Sequence, residues 1–310
     1  MERTRRYGFC IELGAMIPAF INPLAGNAAD ARDALNAVGG FEIREVAPTT
    51  LADGVREAIA QGATRVLVAG GDGSIGSAAN VIAGTATELA ILPCGTLNHL
   101  AKDLSLPLDL EEAARVALHG CPIPVDAAVV NDRLFLNTSS VGAYVTFVRA
   151  RERLEHRLGY HLASLVAAAR LLFRMPTFRV TLRVEGEASD RNYVTPLVFI
   201  GVGERELRLP TLGARVPGGK RGLHVMVVRR RSGARALAAG LAAAARGVKA
   251  VARTPAMDTF LVECCRIEPR RTRLSVDGEL VSLTPPFEYR HVPAHLLVVV
   301  SAGKNAPPVS

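Results

Sequence analysis

The chain contains no tryptophan, and aromatic residues make up only 5% of it. Its core must therefore be aliphatic, and it lacks the stacking platforms through which single-stranded nucleic acids are read. No Cys/His finger spacing occurs either, so a nucleic-acid role is set aside. The five cysteines, Cys10, Cys94, Cys121, Cys264 and Cys265, form no C-x-x-C pair. That usage predicts a reduced, cytoplasmic protein. Long uncharged apolar runs are missing as well. The stretches "LASLVAAARLLF" and "ALAAGLAAAARGVKAVA" are broken by Arg or Lys, short of the roughly 18 residues a spanning helix needs. Near the N-terminus Glu12 interrupts the only apolar stretch, which argues against a signal peptide, and residues 1–15 read as a disordered extension.

What is present is an ordinary globular composition, 49% hydrophobic and 21% charged, over 310 residues. That length is comfortable for two domains. The net charge of +8 favours anionic partners such as phosphorylated substrates or anionic lipid, without choosing among them.

The first part repeats one pattern three times: a short apolar strand, a loop of small residues, then a helix. It appears in "MIPAFINPLAGNAADARDALNAV", "TRVLVAGGDGSIGSAANVIA" and "LAILPCGTLNHLAKDL". Such alternation predicts a parallel sheet covered by helices, with all three loops at the carboxyl ends of the strands. After "HGCPIP" the texture changes to strands and tight turns. Two strands flank Asn131-Asp132 and two more flank Glu185-Gly186, followed by "GLHVMVVRR", "TFLVECCRIEP", "RLSVDGELVSL" and "HLLVVV". Helices are expected over roughly 145–174 and 234–253. The expected organisation is an α/β nucleotide-binding domain over 16–125, an antiparallel, sandwich-like β-rich domain over 126–293, and a segment 294–310 returning to the first domain.

The loop "GGDGS" carries the first chemistry. Gly70, Gly71 and Gly73 leave backbone amides open to an anion, and the helix that follows adds partial positive charge. Asp72 in such a loop would repel phosphate unless a divalent cation stood between them, which points to a magnesium-complexed nucleotide with Asp72 as metal ligand. No G-x-x-x-x-G-K-[ST] and no strand-linked G-x-G-x-x-G occur, so neither a Walker nor a dinucleotide-binding loop is present. Taken alone, each loop also reads as a plain strand-to-helix turn. Their threefold recurrence, with Asn22 in the first and Gly95, Thr96 and Asn98 in the third, is what points to nucleotide.

In order, "NPLAG", "GGDGS", "LPCGTLNHLAKDLSLP" and "VDGEL" resemble the diacylglycerol kinase catalytic fold of bacterial lipid kinases and sphingosine kinases, itself related to the NAD kinases. The resemblance runs from Met16 to the closing "PPFEYRHVPAHLLVVV". It implies that ATP and Mg2+ bind at Asn22, Thr49 or Thr50, Gly70, Gly71, Asp72, Gly73, Ser74, Gly95, Thr96 and Asn98. It implies that Glu279 is the general base, that the acceptor is the hydroxyl of diacylglycerol or a related lipid, and that the catalytic pair is Glu279 and Asp72. An NAD kinase-like small-molecule kinase and a non-catalytic nucleotide or lipid sensor are the alternatives.

The sequence departs from that family at Ala25 and Ser74, where relatives often carry Ser and Thr. It departs again at Arg221 and His224, which stand near an acidic pattern that holds a structural magnesium ion in many relatives; that second metal site is expected to be absent. "VFIGVGERE" lacks the asparagines expected after its strand. Arg149, Arg153 and Arg157 share one helical face, which reads first as a solvated face and alternatively, with "RRRSGAR" at 229–235, as a transient contact with anionic lipid at the inner membrane face. A homodimer is also allowed for. His156, His161 and Lys102 read as surface residues.

Overall fold

The structure is a computed structural model describing residues 16–23, 25–96, 98–142, 153–154, 166, 177–185, 189–206, 213–216, 218–229, 257–269 and 273–302. The two long expected helices, with Arg149, Arg157, His156 and His161, and most of the basic stretch 229–235, fall outside those residues. Of them, 153–154 and 166 are helical.

The first half begins with β1 (Ile17–Ile21), α1 (Ala28–Val38), β2 (Phe41–Glu45), α2 (Leu51–Ala60), β3 (Arg65–Gly70), α3 (Asp72–Ile82) and β4 (Glu88–Pro93). Then come the short α4 (His99–Asp103) and α5 (Leu110–His119). The strands pair in parallel in the order β2-β1-β3-β4. β1 and, after the buried Arg65 that pairs with Glu88, β3 read as apolar runs because both of their faces are covered, and every residue in them is buried. One face packs on α2, α3 and α4 through Val55, Ile75, Ala79 and Leu100; the other packs on α1 and α5 through Ala31, Leu35 and Ala114. The result is three layers, with the loops after β1, β3 and β4 at one sheet edge.

The second half supplies β5 (Cys121–Val130), β6 (Arg133–Phe135), β7 (Thr138–Gly142), β8 (Phe178–Val184), β9 (Arg191–Thr195), β10 (Leu197–Val202) and β11 (Leu223–Val228). β12 (Met257–Val262), β13 (Cys264–Pro269), β14 (Arg273–Val276), β15 (Glu279–Ser282) and β16 (Phe287–Val300) follow. Six of these form an antiparallel sheet in the order β12-β11-β10-β7-β14-β15. The others extend the first sheet through β16, β13, β8 and β9, with β5 on β16 and β6 on β5. An aliphatic core of Val130, Val180, Ile200, Val225, Ile267 and Val276 joins the two sheets face to face. The parallel-sheet half and the sandwich-like antiparallel half expected from the sequence are both present.

Two details differ from a strand-by-strand reading of the sequence. "TFLVECCRIEP" is not one strand. The chain changes sheets at Glu263, so β12 pairs with β11 while β13 pairs with β8 and β16. The two sheets of the second half are also not a separate body. β16 pairs antiparallel with β13 at its start and in parallel with β4 near its end, at Leu297 and Val298, so one sheet runs through both halves.

Candidate active site

The three small-residue loops meet. A cavity of about 690 Å³ is lined by Asn22, Ala25, Gly26 and Asn27 from the first loop, by Gly71, Gly73, Ser74 and Ser77 from α3 and its entry, and by Cys94, Gly95 and Thr96 from the third loop. Pro48, Arg133 and Glu279 complete the wall. The second and third loops touch: a Cβ placed on Gly95 would stand 2.5 Å from the Gly71 Cα. No residue larger than glycine fits at position 95 without separating the two loops.

The α3 entrance is built to receive negative charge. Gly71 caps the helix in an extended conformation, with no side-chain cap, and the first helical bond runs from the Ile75 amide to the Gly71 carbonyl at 3.1 Å. The amides of the turn before it are left without helical partners, beside the positive end of the helix dipole. Gly70 does not line the cavity. It allows α3 to fold back on β3, since a Cβ there would meet the Ser74 Cβ at 2.7 Å.

Asn98 has a supporting role rather than a place in the wall. It is buried in a left-handed conformation, its Oδ1 accepts the Gly95 amide at 2.9 Å, and its Nδ2 donates to the Gly95 carbonyl at 2.8 Å. It holds the third loop in shape. Thr49 and Asp72 are likewise absent from the lining; Pro48 stands there instead of Thr49, and Thr50 Oγ1 donates to the Ala47 carbonyl. The Asp72 carboxylate accepts the Leu100 amide on Oδ1 at 3.4 Å, which leaves its second oxygen for another partner. No group of three acidic, His or Cys side chains is gathered for a metal among the described residues. Magnesium suits this wall as an ion carried by phosphates and water with one or two carboxylates, not as one caged by protein.

Glu279 arrives from the other sheet, at the turn between β14 and β15. Asp277 and Gly278 adopt left-handed conformations there, the geometry of a tight hairpin, and Glu279 is the first residue after them. Its carboxylate rests over the α3 entrance, with Oε1 placed 2.3 Å from where a Cβ of residue 73 would be. Its Oε2 accepts from Arg133 Nη2 at 3.0 Å. The turn is fixed by Asp277, whose carboxylate accepts the Leu136, Asn137 and Thr138 amides at 2.8–2.9 Å. Withdrawal from water pushes the Asp277 carboxyl above its ordinary value, against the pull of those amides. On the opposite side Asn80 of α3 accepts the Leu134 amide at 3.1 Å and donates to the Leu134 carbonyl. Residues 133–138 are therefore clamped between the phosphate-loop helix and the hairpin bearing Glu279.

Arg133, Asn80 and Asp277 escaped the sequence reading. Only Asp277 had a signal, its place in the same "VDGEL" motif. Cys94 lines the cavity as a protonated thiol, pushed up to about 11 by burial. In "VFIGVGERE" the buried Arg205 ties the strands together, donating to Asn137 Oδ1 at 2.6 Å and to the Val202 and Asn137 carbonyls. Arg221 pairs with Asp126, and His224 Nδ1 accepts the Arg205 amide at 2.8 Å.

Residues 17–130, with their three loops converging on one cavity, match the diacylglycerol kinase catalytic domain. Over that segment the chain is similar to this family. Over 111 residues the chain is 39% identical to a protein of Cronobacter sakazakii named as a YegS-like lipid kinase, covering 34% of this chain and 37% of that one. Over 183 residues it is 30% identical to a diacylglycerol kinase of Mycobacterium tuberculosis, covering 54% and 59%. The chain thus spans about half the length of the curated relatives it matches. A crystal structure of a diacylglycerol kinase from Bacillus anthracis superposes with a TM-score of 0.69 at 23% identity, over 92% of this chain and 97% of that one, a likeness of fold. The matched segment supplies every described lining residue except Arg133 and Glu279, which come from beyond it.

Proposed function

We propose that the protein is an ATP-dependent lipid kinase that transfers the terminal phosphoryl group of ATP to a hydroxyl of diacylglycerol or a related lipid. One observation carries the reading: open amides at the α3 entrance, the Gly95 loop and a lone carboxylate from another sheet share a single cavity. Phosphoryl transfer asks for that combination, anion binding by backbone amides beside a base that accepts the alcohol proton. The names of the relatives support a lipid alcohol as acceptor.

In this reading Gly71, Gly73, Ser74, Gly95 and Thr96 bind the phosphates. The lipid oxygen forms a bond to the terminal phosphorus as the bridging bond to ADP breaks. Glu279 takes the hydroxyl proton. Magnesium, when bound, neutralises phosphate charge, with Asp72 the carboxylate available on the glycine loop. No helix among the described residues is long and apolar enough to cross a membrane. The reading has the protein meeting its lipid at the cytoplasmic membrane face through basic side chains, and it includes a homodimer without requiring one.

Radiolabelled ATP incubated with a lipid extract, and separately with NAD, tests the proposal. Label in a lipid is expected. Label in NAD alone would favour an NAD kinase-like enzyme, and tight ATP binding without transfer to either would favour a sensor. Glu279→Gln should lower transfer by about 10²–10⁴-fold, the usual worth of a positioned base, while ATP binding persists.

A further inference from the structure

Among the described residues, Arg133 is the one basic side chain in the cavity wall, and Glu279 the one acidic. They bond to each other at 3.0 Å, and both are partly exposed to the cavity, by 40% and 51%. Arg133 uses one of the five N–H donors of its guanidinium, on Nη2, in the bond to Glu279, which leaves others for a ligand. Its backbone is among the best fixed around the site. The next residue, Leu134, is hydrogen-bonded on both sides of its peptide to Asn80, the ninth residue of the helix whose first turn lines the cavity. The strand behind it pairs with β5 through Val130.

A base placed beside a polyphosphate raises an electrostatic problem, since like charges a few ångströms apart repel. Among the described residues, the only counter-charge the cavity wall itself supplies is the one already on Glu279. We propose that Arg133 contacts the terminal phosphate of the bound nucleotide, and that its bond to Glu279 both screens the carboxylate from that phosphate and sets the base beside the transferred group. This inference rests on the kinase reading above. A planar guanidinium suits both tasks, because its fork can offer one edge to a carboxylate and another to a phosphate. Arg133 then discriminates ATP from ADP, which lacks the phosphate nearest the base.

Titration calorimetry with Mg-ATP and with Mg-ADP tests it, using wild type, Arg133→Met and Glu279→Gln. Arg133→Met is expected to weaken ATP binding roughly tenfold while ADP binding changes less than twofold, as loss of one charge-assisted contact predicts. Glu279→Gln is expected to tighten ATP binding severalfold, because a repelling charge is removed and Arg133 is released. Arg133→Met binding ATP as wild type does, or losing ATP and ADP equally, would overturn the proposal. Should Arg133→Met fail to fold, unchanged or weakened ATP affinity in Glu279→Gln overturns it just as well. Failure of the kinase reading looks different: it shows as no labelled lipid in the transfer assay, whatever the calorimetry of the Arg133 and Glu279 variants gives.

Discussion

The carboxylate of Glu279 lies so close over Gly73 that a Cβ at residue 73 would stand 2.3 Å from Oε1. A base carried by one sheet is thus seated on the first turn of a helix that belongs to the other. The contact is with the flexible end of a side chain, so a substitution at 73 displaces the carboxylate and leaves the backbone in place.

Gly73→Ala should therefore separate folding from activity. Alanine in a helix is favoured over glycine by about 0.5–1 kcal/mol, so the melting temperature is expected to hold or rise slightly. Phosphoryl transfer is expected to fall at least tenfold as Glu279 is pushed from its seat. Calorimetric melting and the labelled-ATP assay on the same preparation check both halves.

Gly95→Ala should behave in the opposite way. Its Cβ would meet the Gly71 Cα at 2.5 Å and the Asn98 Oδ1 at 2.9 Å, backbone and a buried brace that cannot step aside. Overpacking of that kind costs about 1–3 kcal/mol, and here it also spreads the two phosphate loops. Lower thermal stability and weaker ATP binding are expected together, read by denaturant titration and calorimetry.

Asp277→Asn tests the clamp. An amide in place of the carboxylate puts an N–H2 donor against at least one of three backbone donors. Stability is expected to drop by about 1–3 kcal/mol, the cost of a buried polar group left unsatisfied. Transfer should fall further than that loss explains, because Glu279 is two residues away on the same hairpin. Comparing turnover at a temperature where the variant is fully folded makes the distinction.

A second polar cluster predicts a pH dependence away from the cavity. His291 lies between Asp126, at 3.0 Å from Nε2, and Glu263, at 2.8 Å from Nδ1. Burial lowers its affinity for a proton, but the two carboxylates overcome that and raise its pKa above the ordinary 6.5. Its stabilising effect is then complete below 6.5 and lost as pH rises through the higher folded value. Asp126 runs the other way. Burial alone would raise it, but hydrogen bonds from His291, Arg221 and the Ala294 amide hold it well below its ordinary 3.8, so its contribution is lost only in strong acid. Melting temperature should fall on the alkaline side of 6.5, and His291→Gln should flatten that decline.

Much of the site could be read in the sequence because its parts are local. A strand, a glycine loop and a helix N-terminus lie within about ten residues, so the loops around Asn22, Gly71 and Gly95 declare themselves. Glu279 was legible only through its motif, since "SVDGELVSL" by itself is a plain hairpin. Arg133 had no such signal: what makes it part of the wall is the docking of β6 against Asn80 and of the Asp277 turn against β7, contacts between residues more than 50 positions apart. Asn98 was read as a nucleotide contact because asparagine in a small-residue loop serves a ligand and a loop backbone equally well. The change of sheet at Glu263 was hidden by strand-forming residues that continue on both sides of it.

β16 also limits how the crevice can move. A single fourteen-residue strand is hydrogen-bonded to β4 of one half and to β13 of the other, with β5 along much of its length. The register of that strand shifts between Val292 and Leu296, between its two attachments, and Ala294 there is left-handed, so a change in the width of the crevice is a bend at that point and not a parting of the sheet.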